Sequence, residues 1–183
     1  MLNEDIVLSY GFVDKKICDY VVDFMKRLKI THSHLFQKAQ PGASLVPVEG
    51  LDKIDKIVYD NVIAIKDRIN SYINHYYGST FSPNAFYLQE WDTGSYHPTH
   101  NENSPRHVQK QISTLVYLND DFLGGDSYFN NKDLTPPIKK GLMTFFCGQF
   151  QSNLHTVNKV LTKQRYTIVI FWSDDNDFPQ YKV

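Results

Sequence analysis

Three polar residues in the second half of the chain have the types and spacing to bind a metal ion. His100 and Glu102 lie two residues apart, and His155 follows later in the sequence. On an extended segment, residues i and i+2 point to the same side, so the imidazole and the carboxylate would face a common point. Two histidines and one carboxylate form the facial triad of non-haem iron(II) centres, which leaves coordination positions open. A His-x-Glu pair alone is a weak signal, and a coincidental pair on a solvated loop is the competing interpretation.

A fourth candidate, Arg165, opens the apolar segment Tyr166–Trp172. A guanidinium buried in a β-barrel needs a carboxylate partner, because an unpaired buried charge is very costly. No acidic residue lies beside Arg165 in the sequence. A dicarboxylate co-substrate would satisfy it through the bidentate pairing that arginine makes well. In the competing interpretation, Arg165 is exposed at a strand edge and pairs with a surface aspartate.

The other five histidines have weaker claims. His97 competes with His100 as a ligand, but the residue two positions later is Thr99, which offers no carboxylate. We therefore expect His97 beside the site or at its rim. The remaining histidines lack a partner at metal-ligand spacing and are expected at the surface or in hydrogen bonds; they are His32, His34, His75 and His107.

Length and composition limit the class of protein. The 183 residues predict a single domain over 1–183, and the near-neutral formal charge of -1 argues against a general nucleic-acid binder. Only Cys18 and Cys147 are present, which favours a reduced compartment over a disulfide framework. The N-terminus has no basic region followed by an apolar stretch, and no segment is apolar enough to span a bilayer. We expect no signal peptide, no membrane partner and a cytoplasmic location; the oligomeric state stays open.

Two helical patterns precede the candidate residues. Apolar residues at helical spacing predict a helix over Lys15–Lys29, with Asp14 as its N-cap, and a second over Asp52–Tyr76, closed by Gly78. Turn residues around Pro41–Ser44 predict a loop between them. Residues 1–80 are therefore predicted to be a helical support region.

Short strands follow from residue 81. Segments rich in β-branched and aromatic residues alternate with turn signals; they are Ala85–Trp91, Val108–Leu118, Ser127–Phe129, Leu142–Cys147, Leu154–Val157 and Arg165–Trp172. This order predicts an α+β fold with a mainly β core over 81–173, a double-stranded β-helix (jelly roll) with the N-terminal helices packed on one face. Residues 174–183 are predicted to be a polar tail.

A series of motifs runs in order from Trp91 to Trp172. Its residues are Gly94, His100, Glu102, Tyr117, Leu118, Asn119, Gly124, Gly125, Asp126, Phe129, Pro137, Gly141, Phe145, His155 and Arg165. The series resembles the catalytic core of the prolyl 4-hydroxylase type of iron(II)- and 2-oxoglutarate-dependent oxygenases. The resemblance implies that His100, Glu102 and His155 bind Fe(II). It also implies that Arg165 holds the distal carboxylate of 2-oxoglutarate, with the Tyr117 hydroxyl as a second contact. No catalytic residue beyond the metal ligands is implied, and Gly124-Gly125 would form a tight turn between core strands.

The same resemblance implies the reaction. O2 and 2-oxoglutarate would be consumed and succinate and CO2 released as a C–H bond is hydroxylated, with ascorbate as a further candidate cofactor. The expected substrate is a prolyl or other side chain of a peptide or protein. Three positions depart from the family pattern, and they put details of the pocket in question: Glu102 replaces an Asp, Trp91 a Tyr and Lys110 an Arg.

Other functions stay open at this point. A hydroxylase of a small molecule or free amino acid belongs to the same superfamily. A jelly-roll or cupin-like binding module could use the same triad for zinc, which accepts His2Glu ligation. A nucleic-acid demethylase is disfavoured, because such enzymes carry a second Arg after the first and no Arg follows Arg165. Residues 103–109 are predicted to form a mobile lid or substrate-contact loop beside the site.

Overall fold

The chain folds into two α-helices and twelve β-strands within the residues that a computed structural model describes, 4–39, 42–102 and 112–174. The helices are α1 (Lys15–Thr31) and α2 (Lys56–Tyr77). The strands are β1 (Ile6–Ser9), β2 (Gln37–Ala39), β3 (Ala43–Pro47), β4 (Phe81–Trp91), β5 (His97–His100), β6 (Ile112–Tyr117), β7 (Leu123–Gly124), β8 (Ser127–Phe129), β9 (Met143–Cys147), β10 (His155–Val157), β11 (Val160–Thr162) and β12 (Arg165–Asp174). Across these residues, no helix combines the length and the apolar character that crossing a bilayer requires.

The strands form one large and two small antiparallel sheets. The major sheet has seven strands in the order β1-β9-β6-β12-β4-β3-β2. The minor sheets are β5-β10-β8 and β11-β7. This is the predicted jelly-roll architecture, with α1 and α2 covering one face of the major sheet.

The two faces of the major sheet separate along β12. Tyr166, Ile168, Ile170 and Trp172 join the large apolar cluster that also contains the buried residues of both helices. Arg165, Val169 and Phe171 alternate with them and line a cavity on the opposite face. Because successive side chains of a strand point to opposite faces, one strand both anchors the helices and shapes the cavity.

Both helices have the predicted caps. The Asp14 carboxylate accepts from Lys16 N–H at 2.7 Å, and Gly78 closes α2 with a φ of 63°. The predicted start of α2 at Asp52 is wrong. Residues Leu51–Lys53 form a separate 3-10 turn, and α2 begins at Lys56 because Asp55 is extended and accepts from Val58 N–H at 3.0 Å.

The first 80 residues contain more than helices. Strands β1, β2 and β3, which the periodicity did not predict, add to both edges of the major sheet. Part of the loop predicted around Pro41–Ser44 is therefore strand, since β3 begins at Ala43. The predicted lid over 103–109, Lys110 and nearly all of the polar tail lie outside the described residues, as does the start of the strand predicted at Val108.

Candidate metal centre

His100, Glu102 and His155 converge. Each offers one ligand atom, and these atoms all lie within 4.8 Å of one another. The His155 Nε2 to Glu102 Oε1 distance is 3.9 Å. The imidazole rings of His100 and His155 have centroids 4.2 Å apart. Three donors facing one point in this way have the composition of a facial triad.

Strand pairing brings the two histidines together. His155 is the first residue of β10 and pairs with His100 at the end of β5, and on its other side with Phe129 of β8. Glu102 lies just beyond β5, where its backbone N–H donates to the Gly148 carbonyl at 3.2 Å. The minor sheet therefore supplies both imidazoles, and the loop after β9 holds the backbone of Glu102.

Backbone carbonyls fix which nitrogen each histidine presents. His100 Nδ1 is 2.8 Å from Pro98 O, and His155 Nδ1 is 3.1 Å from Asn153 O. A carbonyl only accepts, so Nδ1 must carry the proton in both rings, and Nε2 keeps its lone pair for a ligand. Hydrogen bonds from the far nitrogen to a carbonyl are the usual support of metal-binding histidines.

Both imidazoles are held in the neutral form that a metal needs. Burial lowers the pKa of His155 to about 4. Burial, together with the neighbouring His155, lowers the pKa of His100 to about 4. At neutral pH neither ring has to lose a proton before it can bind a metal.

The triad opens into a cavity of about 450 Å³ between the major and minor sheets. His100, Glu102, His155 and Arg165 all line it, and much of the remaining wall is apolar or aromatic. The size and lining are typical of pockets for small ligands, in which a few polar groups set the orientation. The metal-type cluster and the candidate anion-binding residue therefore belong to one site.

Arg165 lies in the wall of this cavity, and no described residue pairs with its charge. It is 1% exposed, and its Nε and Nη1 have no hydrogen-bond partner. Within the described residues, none of the ion pairs includes Arg165. Burial lowers the pKa of Arg165, which is the cost of this isolation. The interpretation of Arg165 as an exposed edge residue is thus excluded, and a bound carboxylate would satisfy the free donors.

Aromatic rings hold the guanidinium. Its central carbon is 5.4 Å from the Trp91 ring centroid and 5.2 Å from that of Tyr117, within the range of cation–π contacts. Trp91 lines the cavity, and its buried indole N–H has no partner. Tyr117 contributes its ring to the Arg165 site and is absent from the residues lining the cavity. Gly125, with a φ of 65°, packs against the Arg165 side chain. A Cβ at this position would lie 3.4 Å from Arg165 Cδ and 2.9 Å from Val160 Cγ2.

Of the remaining described histidines, His97 lies at the cavity and the others lie away from it. His97 lines the cavity and packs against His100 with ring centroids 3.8 Å apart and the rings tilted by 44°, but it is not part of the ligand cluster. His34 and His75 lie outside both the cluster and the cavity lining, as does His32, which bonds Thr31. His107 lies outside the described residues.

Sequence reasoning missed three polar residues that support the site. Asn153 is fully buried, donates to Cys147 O at 2.8 Å and offers its own carbonyl to His155. Ser113 lines the cavity, Thr144 is buried in the neighbouring strand β9, and neither hydroxyl has a partner among the described residues. For Ser113 and Thr144 the available signal was a polar residue in a largely apolar strand, whereas Asn153 lies in a short 3-10 turn and gave no signal of its own.

Comparisons with known proteins identify the fold. No protein-family model matches the sequence, and no curated protein sequence matches it. Among solved structures, a prolyl-4-hydroxylase from Pseudomonas putida aligns with 94% of this chain and 94% of its own, with a TM-score of 0.74 and 12% identity. The viral collagen prolyl hydroxylase of Paramecium Bursaria Chlorella virus-1, in a complex with 2-oxoglutarate, aligns over 92% and 95% with a TM-score of 0.72 and 14% identity. A Trichoplax adhaerens prolyl hydroxylase with a peptide of the hypoxia inducible factor oxygen degradation domain aligns over 99% and 89%, with a TM-score of 0.71 and 16% identity. The chain thus has the jelly-roll fold seen in prolyl hydroxylases, as the sequence motifs predicted.

Proposed function

We propose that this protein is an iron(II)- and 2-oxoglutarate-dependent oxygenase that hydroxylates a C–H bond. The observation that carries the proposal is the cavity shared by the His100–Glu102–His155 cluster and the unpaired guanidinium of Arg165. A metal-binding module without a dicarboxylate co-substrate gives no reason for a buried, partnerless arginine in the same cavity. The fold shared with three prolyl hydroxylases supports the same reaction class.

The residues fit iron(II) and the co-substrate. His100 Nε2, His155 Nε2 and the Glu102 carboxylate would hold the metal on one side, the donor set that non-haem iron oxygenases use. Arg165 would bind the distal carboxylate of 2-oxoglutarate, with Trp91 and Tyr117 beside it. Bound iron(II) supplies the activation of O2 that couples oxidative decarboxylation of 2-oxoglutarate to hydroxylation of the substrate.

The protein itself orients the metal ligands and the co-substrate and excludes water from the site. The Pro98 and Asn153 carbonyls fix the orientation of both imidazole rings, so each ring presents its Nε2 to the proposed metal position. Arg165 sets the direction of a chelating keto acid by holding its far end. Leu115, Val169 and Phe171 in the cavity wall exclude water from the reacting groups.

The proposed substrate is a peptidyl side chain, with proline first. The support is the shared fold: one of the structures with this fold is described as a collagen prolyl hydroxylase, and another is in complex with a peptide. A small metabolite is the competing substrate within the same reaction class. Incubation with proline-containing peptides and with free amino acids, followed by mass spectrometry for a gain of one oxygen, separates the two.

The decisive experiment tests chelation of the keto acid. Adding 2-oxoglutarate to the anaerobic iron(II) protein should produce the visible charge-transfer band of a chelated 2-oxo acid. The band should be absent in His155→Ala and should need far more co-substrate in Arg165→Ala. His75→Ala, which changes an exposed histidine of α2, is the matched control and should behave as wild type.

Two outcomes would contradict the proposal, and each identifies a different error. An iron-loaded, folded wild type without it would favour the zinc or binding-module alternative. A band of equal strength in His155→Ala would mean that the cluster is not the ligand set.

A further inference from the structure

Gly148 differs from the other glycines of the chain. Of the nine glycines, eight have a positive φ, where a side chain would strain the backbone. Gly148 does not, so its backbone conformation is open to any residue. The reason for a glycine at this position must lie in the space around it.

That space is filled by the candidate carboxylate ligand. A Cβ added at Gly148 would lie 2.6 Å from Glu102 Cβ and 2.6 Å from Glu102 Cγ, closer than carbon atoms approach in proteins. These two atoms are the near end of the side chain. They cannot swing aside as a flexible tip could, so relief requires movement of the Glu102 backbone or a different rotamer.

A hydrogen bond locks the same two residues together. Glu102 N–H donates to the Gly148 carbonyl at 3.2 Å, which holds the two backbones in close approach. The adjoining end of β9 also supports the opposite ligand, because the Phe146 ring lies 5.0 Å from the His155 ring and Cys147 O accepts from Asn153. One short segment, Phe146–Gly148, therefore contacts both arms of the cluster.

We propose that Gly148 is a positioning residue for the metal centre, and that its lack of a side chain sets the place of the Glu102 carboxylate. This inference rests on the proposed function, since it assumes that Glu102 binds the metal. Any side chain at 148 displaces Glu102 while leaving the two imidazoles on their own strand pair. The site then loses its carboxylate ligand without losing its fold.

The first test is metal binding by Gly148→Ala. Titration with Mn(II) should show an affinity lower by about 10- to 100-fold, the range typical for residues that orient a metal ligand. The ligand-field absorption of the Co(II) protein should also change in shape, which a general loss of stability would not cause. Gly78→Ala is the matched control: it strains a positive φ in open space at the end of α2, so it should lower the melting temperature and leave both metal readouts unchanged.

A cycle on the metal-free protein tests the contact itself. Gly148→Ala should lower the melting temperature when Glu102 is present, and should have little effect in a Glu102→Gly background, where Cβ and Cγ are absent. This pair remains informative if Gly148→Ala alone fails to fold. An equal loss in both backgrounds would overturn the proposal.

The outcomes also separate the two proposals. If wild type binds neither Mn(II) nor Co(II), the proposed function fails and the role of Gly148 falls with it. If wild type binds both and Gly148→Ala binds them equally well with an unchanged Co(II) spectrum, only the role of Gly148 is overturned.

Discussion

The two faces of the major sheet treat their buried polar groups differently. On the helix face, Trp172 donates its indole N–H to Thr114 at 2.8 Å, and the Tyr166 hydroxyl donates to Glu90 at 3.2 Å. Glu90 itself is 2% exposed and pairs with Lys29 of α1 at 2.9 Å. This face follows the general rule that buried polar groups in proteins have partners.

The opposite face breaks that rule repeatedly. Four residues here have buried polar groups without a partner among the described residues: Arg165 Nε and Nη1, the Trp91 indole N–H, and the hydroxyls of Ser113 and Thr144. Each such group costs free energy in the folded protein, and a buried charge costs most. Arg165, Trp91 and Ser113 all line one cavity, which indicates groups arranged for a ligand, whereas the helix face is arranged for folding. Matched substitutions on the two faces should therefore have different effects: those on the helix face should lower the unfolding free energy, and those on the cavity face should mainly lower the affinity for a ligand and leave stability unchanged or raise it.

The largest difference is expected between substitutions of two cations, Arg165 on the cavity face and Lys29 on the helix face. If Arg165 anchors the distal carboxylate as proposed, Arg165→Met should weaken 2-oxoglutarate binding by about 2–5 kcal/mol. The same change should raise the unfolding free energy of the ligand-free protein by about 1–3 kcal/mol, since it removes an unpaired buried charge. Calorimetric titration with 2-oxoglutarate and urea unfolding of the ligand-free protein measure the two effects.

Lys29→Met is the matched change on the helix face. It removes the lysine partner of the buried Glu90 and, among the described residues, leaves only the Tyr166 hydroxyl donating to it, so the unfolding free energy should fall by about 1–2 kcal/mol, a modest amount because the Lys29 side chain is 42% exposed. Co-substrate affinity should not change. If Arg165→Met destabilised the ligand-free protein as Lys29→Met does, Arg165 would have a protein partner and the contrast between the faces would disappear.

Two threonines on neighbouring strands give the next contrast. Thr114→Val removes the acceptor of Trp172 and leaves a buried N–H unpaired, so the unfolding free energy should fall by about 1–3 kcal/mol. Thr144→Val removes a hydroxyl that has no partner and should be neutral or stabilising by about 1 kcal/mol. Both side chains are buried and the substitutions are identical in shape. Equal losses in urea unfolding would mean that the Thr144 hydroxyl is satisfied in solution.

The sequence predicted which polar residues lie together better than it predicted the sheet. His100, Glu102, His155 and Arg165 were selected because metal and anion chemistry demand particular residue types, and the structure places all four in one cavity; their roles as ligands stay a proposal. Strands β2 and β3 were missed because Gln37–Ala39 and Ala43–Pro47 are short and lack alternation. Their pairing comes from the adjacent β4, which is a tertiary effect.

Residues whose role depends on their shape or on their spatial neighbours could not be identified from the sequence. In the sequence, Gly148 resembles the other turn glycines, and its role becomes visible only when the position of Glu102 is known. Asn153 reads as a loop residue until its bonds to Cys147 and His155 are seen. The structure puts the Tyr117 ring beside Arg165, and the contact of its hydroxyl with 2-oxoglutarate stays a prediction.

The smallest contrast concerns the two tryptophans, Trp91 on the cavity face and Trp172 on the helix face. Trp91→Phe keeps an aromatic ring near the Arg165 guanidinium but removes an N–H that has no protein partner. If that N–H donates to the bound co-substrate, 2-oxoglutarate affinity should fall by about 0.5–1.5 kcal/mol with little change in stability. Trp172→Phe removes a paired N–H and should do the reverse, lowering stability and sparing affinity. Unchanged affinity in Trp91→Phe would mean that the indole only shields the guanidinium, and that Arg165 alone among these donors selects the dicarboxylate.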